Sequence, residues 1–468
     1  MRDLFHMFRE NEIIFDVAII GGGPAGMIAA GRAGELTAKV VLLEKNNTLG
    51  RKLLLTGKGR SNITKAEFNP RELVKKYGRE GDFLLYPLSV FGVKETIEFF
   101  EKRGLKTKTE RGKRIFPESG SAQDVLNVLI KYLKSGGVKI MTDCEVKEII
   151  KNKDRIAKVI LKNGREIKAK NYIIATGGKS YPGTGSTGDG YKWTKELGHK
   201  VSKLRPALVP LRIKESWPKK IQGLSLKNVE LTVFQKSSFY EVKTQMKMKE
   251  NSEGGKLHRH ENKKQDSRFG ELLFTHFGVS GPIVLDLSKI VCELLEKGEV
   301  KLILDLKPAL DFQTLDKRIQ SDFSKYSQKL FKNSLSDLLP QKIISIIVEL
   351  SRINPSKKVN EITREERHRL AKLLKGLEMT VDSFLGFETA IVTSGGVSLK
   401  TINSKTMKSK IIENLFFAGE IIDLCGPTGG YNLQLCWSTG YLAGQTGSFF
   451  YSRRRKLFSS SPSLTLGK

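Results

Sequence analysis

The run FDVAII, beginning at Phe15, is short, apolar and β-branched, and it feeds directly into GGGPAG, where Gly21, Gly23 and Gly26 fit GxGxxG. A strand leaving into such a turn makes a phosphate cradle. Gly21 permits the tight turn, Gly23 lets backbone approach a pyrophosphate, and Gly26 allows close helix–strand packing. Pro24 and Ala25 open a helix expected from about Pro24 to Gly34, whose N-terminus presents N–H groups and the positive dipole end to phosphate. KVVLLE is a second strand ending at Glu44, 18 residues past Gly26. That is close to the roughly 20-residue spacing of an acid that accepts from ribose hydroxyls. The unit suits FAD or NAD.

The positioning elements must come from a long chain. At 468 residues it exceeds one small core, so two or three packed units are expected, one inserted into another. No stretch approaches the roughly 18 apolar residues of a membrane span, and MRDLFHMFRENEIIFDV lacks an apolar signal core. A cytoplasmic enzyme with no membrane partner is the expectation. Cys144, Cys292, Cys425 and Cys436 form no CxxC pair and have no histidines at ligand spacing, so neither a disulfide framework nor a metal site is indicated.

Charge carries more information. Against 50 acids stand 81 Lys and Arg, a net of +31, a field that attracts polyanions and makes ribosomal RNA or another nucleic acid a reasonable partner. A lysine-rich proteome would give the same number, and small-molecule substrates stay open. The excess is spread along the chain; the stretch from Glu241 to Arg268 nets only +3 and reads as a solvated loop. The oligomeric state is not legible.

The basic loop GRKLLLTGKGRSNIT follows from Gly50, and with it the sequence resembles the BaiN/YhiN/aminoacetone-oxidase-like family of FAD-dependent flavoproteins. Further segments agree: RIFPESGSAQDVLNVL from Arg114, ATGGKSYPGTGSTGDGYKWTKELGH from Ala175, LRPALVPL from Leu204, ELLFTHFGVSGP from Glu271 and VTSGGVSLKTINSKTMKSK from Val392. Most specific is LFFAGEIIDLCGPTGGYNLQLCWSTGYLAG from Leu415. Matches run from Gly21 to Gly444. Two departures stand out. The family loop usually reads GGGRCN where this chain has Lys58 and Ser61, and an Asp–Gly pair is replaced by Cys425–Gly426. A role needing a thiol at position 61 is excluded, though a hydroxyl still donates a hydrogen bond.

The resemblance implies FAD and an α/β fold: a discontinuous Rossmann-like FAD-binding domain with an inserted small β-barrel and helical subdomain. The FAD domain would comprise residues 1–197 and 386–468, with the barrel at 198–311 and the helices at 312–385. KNVELTVFQ, KLILDL and FGVSGPIVLDLS read as barrel strands, and the chain from Phe312 to about Leu377 has helical spacing. NYIIATGG and NLFFAGEIID read as sheet strands from the two halves, converging on one ligand edge. Expected cofactor contacts are Lys45, Arg51, Lys52, Gly59 and Arg60 from the first loops, and Val146, in TDCEVKEI, toward adenine. Thr176, Gly177 and Gly178 follow, and Gly419 and Glu420 are expected near the ribityl and pyrophosphate region. Gly429, Gly430, Tyr431, Asn432 and Leu433 open the last helix. Its N-terminus would carry about half a positive charge toward the flavin ring, tuning its reduction.

Gly183, Gly185 and Gly188 also spell GxGxxG, but this stretch does not leave a strand directly, so a loop near the flavin is expected rather than a second nucleotide site. Any NADH or NADPH acting as reductant would have to visit the flavin face transiently. Hydride transfer through flavin N5 needs a proton partner. His276, in THFGVSGP, is the candidate, with a structural histidine the equal alternative. Arg60, Asn62 and Arg114 could orient an anionic or carbonyl-bearing substrate. The resemblance implies reduction of conjugated C=C bonds, oxidation of small amines, or reduction of a uridine in large-subunit ribosomal RNA to dihydrouridine. The charge and the tail Arg453-Arg454-Arg455-Lys456 favour the last. A flavin-bearing RNA-binding or assembly factor is the non-enzymatic alternative.

Overall fold

The computed structural model describes residues 14–235 and 263–458. Most of the Glu241–Arg268 stretch lies outside them, but its end does not: Lys263–Thr275 is a strand. The chain divides into two compact units, Met1–Arg205 with Val392–Lys468, and Pro206–Ile391. The boundaries fall eight residues after position 197 and six after 385, beside the short strands Arg205–Ala207 and Val392–Ser394.

In the first unit, β1 (Ile14–Ile20), β2 (Val40–Leu43), a short strand β3 (Thr64–Lys65) and the hairpin β4 (Thr107–Glu110) and β5 (Arg114–Pro117) come first. β6 (Lys139–Met141), β7 (Val146–Asn152), β8 (Arg155–Leu161) and β9 (Glu166–Ile174) follow. The main sheet runs β6-β2-β1-β9-β8-β7. A last strand, Leu415–Phe417, pairs with β9 in parallel, residue for residue with Tyr172–Ile174. NLFFAGEIID is thus strand only at its start; Gly419–Ile421 is a 3-10 turn. Four parallel pairings build the centre, and the paired stretches that lead to the site, Val17–Ile20, Val40–Leu43, Tyr172–Ile174 and Leu415–Phe417, are apolar and buried. Val17, Leu42, Ile173 and Phe416 are fully buried.

Helix α1 (Pro24–Glu35) connects β1 to β2, starting at Gly23 with proline in its first turn. The chain's last helix, Tyr431–Phe458, lies against it. Gly440 and Gly444 make this approach possible. A Cβ at Gly440 would stand 2.5 Å from the Ala25 carbonyl oxygen, and one at Gly444 would collide with the Ala29 carbonyl. The basic tail Arg453–Lys456 falls on the final turns of this helix.

The second unit is a closed six-stranded antiparallel barrel carrying helices. Its sixth strand, Leu377–Phe384, comes after the helices Phe312–Lys325, Gln341–Ser351 and Arg364–Lys375. The helical region therefore interrupts the barrel, and assigning 312–385 wholly to helices was wrong at its end. LEMTVDSF alternates buried and open residues, as half-buried strands do. FGVSGPIVLDLS also differs from expectation, since Gly278–Ser280 is strand but Pro282–Leu295 is helix. Gly281-Pro282 was the helix-start signal. No described helix is long and apolar enough to cross a membrane.

Candidate dinucleotide and flavin site

Gly21 begins the site where β1 and β9 end together. Its φ of +109° is open to glycine, and a Cβ there would come within 2.6 Å of the Ala175 carbonyl oxygen. Gly26 is tighter still, because a Cβ would collide with the Gly21 carbonyl, so it locks the turn onto the helix as well as the helix onto the strand. At Gly23 a Cβ would have no protein atom within 4 Å. The three glycines thus divide into two that pack and one that faces open space at a helix N-terminus, where phosphate binds.

Glu44 is buried at the end of β2, and its carboxylate anchors the turn. One oxygen accepts from the Gly22 N–H at 2.8 Å; the other accepts from the Asn46 N–H at 2.8 Å and its side-chain amide at 2.7 Å. Asn46 also receives Arg51 at 3.0 Å and reaches the Thr184 carbonyl at 3.1 Å. The second glycine loop is therefore seated on the ribose-acid end of the site, and Pro182–Thr184 within it is a 3-10 turn. It leaves no strand directly. Lys45 pairs with Asp189, and although burial pushes that carboxyl up, the hydrogen bonds from Lys45 and Thr187 bring it below its ordinary range. Val146 is buried at the start of β7, which Cys144 introduces by donating to the Glu44 carbonyl at 2.9 Å.

Helix α2 (Arg51–Leu55) carries Lys52 to a hub that sequence reading did not foresee. Its ammonium is 2.9 Å from Glu420 and 2.7 Å from the Ser180 hydroxyl. Glu420 also accepts from Ser180 at 3.0 Å and from the Thr393 N–H at 2.8 Å. Thr393 in turn accepts from the Lys179 and Ser180 N–H groups. Three stretches far apart in sequence are thus joined on one carboxylate, beside Gly178, where a Cβ would stand 2.7 Å from it. Ser180 and Thr393 lie inside the segments from Ala175 and Val392, but their role needed the fold. Cys436 sits nearby, its thiol pushed up to about 12 by burial and the Glu420 carboxylate, so it is not a thiolate nucleophile.

At the last helix, Asn432 uses both ends of its amide on the preceding loop: it accepts from Gly426 at 2.8 Å and donates to the Gly426 and Pro427 carbonyls. It shapes the GPTGG loop that leads into the last helix. Tyr431 packs edge-on to Tyr77, whose hydroxyl donates to the Tyr431 carbonyl at 2.7 Å. Gly430 (φ +99°) has no room for a Cβ, which would lie 2.5 Å from the Thr64 backbone. Leu433 is buried. One turn on, buried Gln434 accepts from Thr64 at 2.6 Å and donates to Thr96 and Ser438, while Trp437 donates to the Ile63 carbonyl. The helix is therefore fastened to the residues just after the loop Gly57–Asn62.

That loop holds the clearest sign of a ligand. Ser61 is fully buried with φ +55°, and its hydroxyl has no hydrogen-bond partner; the same is true of the Asn62 side-chain oxygen and the Thr176 hydroxyl. Buried orphans are costly, about 1–3 kcal/mol each, and mark groups waiting for one. Thr176 follows the end of β9, and Ser61–Asn62 lie on a segment held to Gly22 at one end, through the Gly50 N–H at 3.0 Å, and to Gly430 at the other. These residues fit FAD: an open glycine turn for pyrophosphate, an acid for ribose, and orphan polar groups on the way to the last helix. Gly59 faces open space, while Arg60 lies 4.3 Å over Phe116 and pairs with Glu110. Arg114 stays exposed on β5. His276 is in the other unit, exposed at the turn between Lys263–Thr275 and Gly278–Ser280, with its ring edge-on to Phe277.

A parallel dinucleotide sheet with a C-terminal segment completing its site defines an FAD-dependent oxidoreductase. The model for the HI0933-like protein Rossmann domain matches residues 15–446, and the chain belongs to that family. It is 32% identical over 432 residues to a 3-dehydro-bile acid delta(4,6)-reductase from Clostridium scindens, a match covering 92% of this chain and 98% of that protein. It is 29% identical over 427 residues to a ribosomal RNA dihydrouridine synthase of Haemophilus influenzae, covering 90% and 96% of the two. For the Escherichia coli protein of the same name the identity is 28% over 431 residues, with 92% and 97% covered.

Proposed function

We propose that the chain reduces a carbon–carbon double bond conjugated to a carbonyl, and that its substrate is a uridine of large-subunit ribosomal RNA. The relatives' names meet in this chemistry, since bile-acid enones and the uracil C5=C6 bond are both activated by a conjugated carbonyl. When bound, FAD supplies hydride transfer at N5, with NADH or NADPH as the proposed source of its electrons. The chain's own groups bind and orient: the turn at Gly23 and Glu44 hold the nucleotide end, and Ser61, Asn62 and the last helix's N-terminus face the redox end. We assign the proton to His276. Its exposure at a hairpin tip counts against a purely structural role.

The observation that carries the RNA reading is where the charge lies. The unit with the dinucleotide site has 49 Lys and Arg against 26 Asp and Glu, whereas the inserted unit has 32 against 24. The unit that carries the proposed cofactor site thus holds +23 of the net +31, and the inserted unit +8, so the larger share of the attraction for a polyanion belongs to the first unit. Deleting the gene is expected to remove one dihydrouridine from the ribosomal RNA map; an unchanged map defeats the reading. The 32% identity to the bile-acid reductase favours a second reading, a small enone substrate. Anaerobic reduction by NADH or NADPH, then reoxidation by ribosomal RNA or by small enones, separates the two.

A further inference from the structure

The short sheet β3-β5-β4 shows two unlike faces. Register places Thr64, Ile115 and Thr109 side by side, and Thr64 and Ile115 are buried. The next register places Lys65, Arg114 and Glu110 together, with Lys108 opposite Phe116 on the same side. Arg60 crosses onto that side at 4.3 Å over Phe116, and Arg114 stands 5.7 Å from the same ring. Exposed Arg111 and Lys113 form the turn. Six cations thus share this edge with two carboxylates, Glu110, which pairs with Arg60 and lies 3.8 Å from Lys108, and Glu67, which lies 3.7 Å from Lys113.

We propose that this face, with its Arg111–Lys113 turn, is the docking surface for the phosphates of single-stranded RNA. Two observations point there. The Lys65 ammonium stands 5.8 Å from the ring of Tyr431, so the basic face adjoins the N-terminus of the last helix. Ser61 and Asn62, with their orphan polar atoms, lie in the segment between Arg60 and Lys65. A strand gripped by its phosphates on the sheet would present one base beside the loop that faces the cofactor. Exposed Phe68, three residues past Lys65, offers a flat surface for a neighbouring base. The assignment rests on the RNA reading and names where the RNA is held.

The test uses the full-length flavoprotein and a fluorescein-labelled 20-nucleotide polyuridine, with anisotropy measured across salt. The triple variant Lys108→Ala, Arg111→Ala, Lys113→Ala is expected to bind more than tenfold more weakly. Its log–log salt slope should be about 2 shallower, at roughly 0.7 per lost phosphate contact on single strands. Its FAD content and reduction by NADH or NADPH should match the parent protein. The triple Lys329→Ala, Lys332→Ala, Lys358→Ala, equal in lost charge but exposed on the inserted unit, should bind like the parent. Equal weakening by both triples overturns the docking surface while leaving RNA binding intact. No binding by the parent protein, with an unchanged dihydrouridine map in the deletion strain, overturns the underlying reading as well.

Discussion

The ammonium of Lys52 lies 2.9 Å from the carboxylate of Glu420, joining residues 368 positions apart. Both are largely shielded, and the same carboxylate takes the Ser180 hydroxyl and the Thr393 N–H. It is the clasp between the two halves of a split domain.

Glu420→Ala should therefore do more than remove one ion pair. It takes the carboxylate away from a lysine, a hydroxyl and a backbone N–H at once, a loss of about 3 kcal/mol for a part-buried hydrogen-bonded pair. Thermal unfolding and the FAD retained after gel filtration should both fall. A variant with unchanged melting temperature and full FAD would show that the hub is ornamental.

The glycines of the turn should separate folding from binding. Gly26→Ala places a Cβ against the Gly21 carbonyl and should prevent normal folding. Gly23→Ala meets no protein atom within 4 Å, so the apoprotein should melt as before while FAD affinity drops at least about tenfold, measured by flavin fluorescence titration.

Ser61→Ala removes a buried hydroxyl that has no protein partner. The apoprotein should be as stable as the parent, or more so by about 1 kcal/mol. If that hydroxyl serves the cofactor, FAD should dissociate several-fold faster from the variant, while Ser61→Thr, which keeps the hydroxyl, should lie between. Identical dissociation rates in all three would remove Ser61 from the site.

The two glycines of the last helix give a packing test. Gly444→Ala presses on the Ala29 carbonyl and should cost about 1–3 kcal/mol in urea unfolding. Gly447→Ala, whose Cβ would sit 3.6 Å from Ile173, should be neutral or gain up to about 1 kcal/mol of helix propensity.

His199 sets an acid limit. Its ring is held between the Thr401 and Ser409 hydroxyls at 2.9 Å each, and burial lowers its pKa from 6.5 to about 4. The unfolded chain then binds the proton that the folded chain refuses, so its contribution is complete above pH 6.5 and is lost as pH falls toward 4. The loss reaches about 3 kcal/mol, at 1.36 kcal/mol per unit. Unfolding at pH 7.5 and pH 5 should show the drop in the parent and a smaller one in His199→Gln.

The dinucleotide half was legible because its chemistry is local. GxGxxG, Pro24 and the terminal Glu44 each state their role within a few residues, and the observed helix Pro24–Glu35 ends one residue past the expected Gly34. What was not legible depends on chain separation. Nothing near Gln434 in sequence names Thr64, 370 positions away, and nothing near Lys52 names Ser180 or Glu420. The barrel was misread for the same reason: Leu377–Phe384 follows a helical region, and its alternation was swallowed by the helices before it.

The placement of Glu420 and the last helix beyond the inserted unit also sets an order of manufacture. A ribosome that has finished residue 391 has made the whole of the second unit but neither the clasp to Lys52 nor Gly440 and Gly444 that seat against α1. Because domains fold as units during synthesis, the insert can mature first, while the N-terminal half waits for the stretch from Val392 to Gly444. Closure of the clasp is therefore a late event in the protein's birth, because Glu420 and the last helix are made after both the glycine turn and the whole barrel.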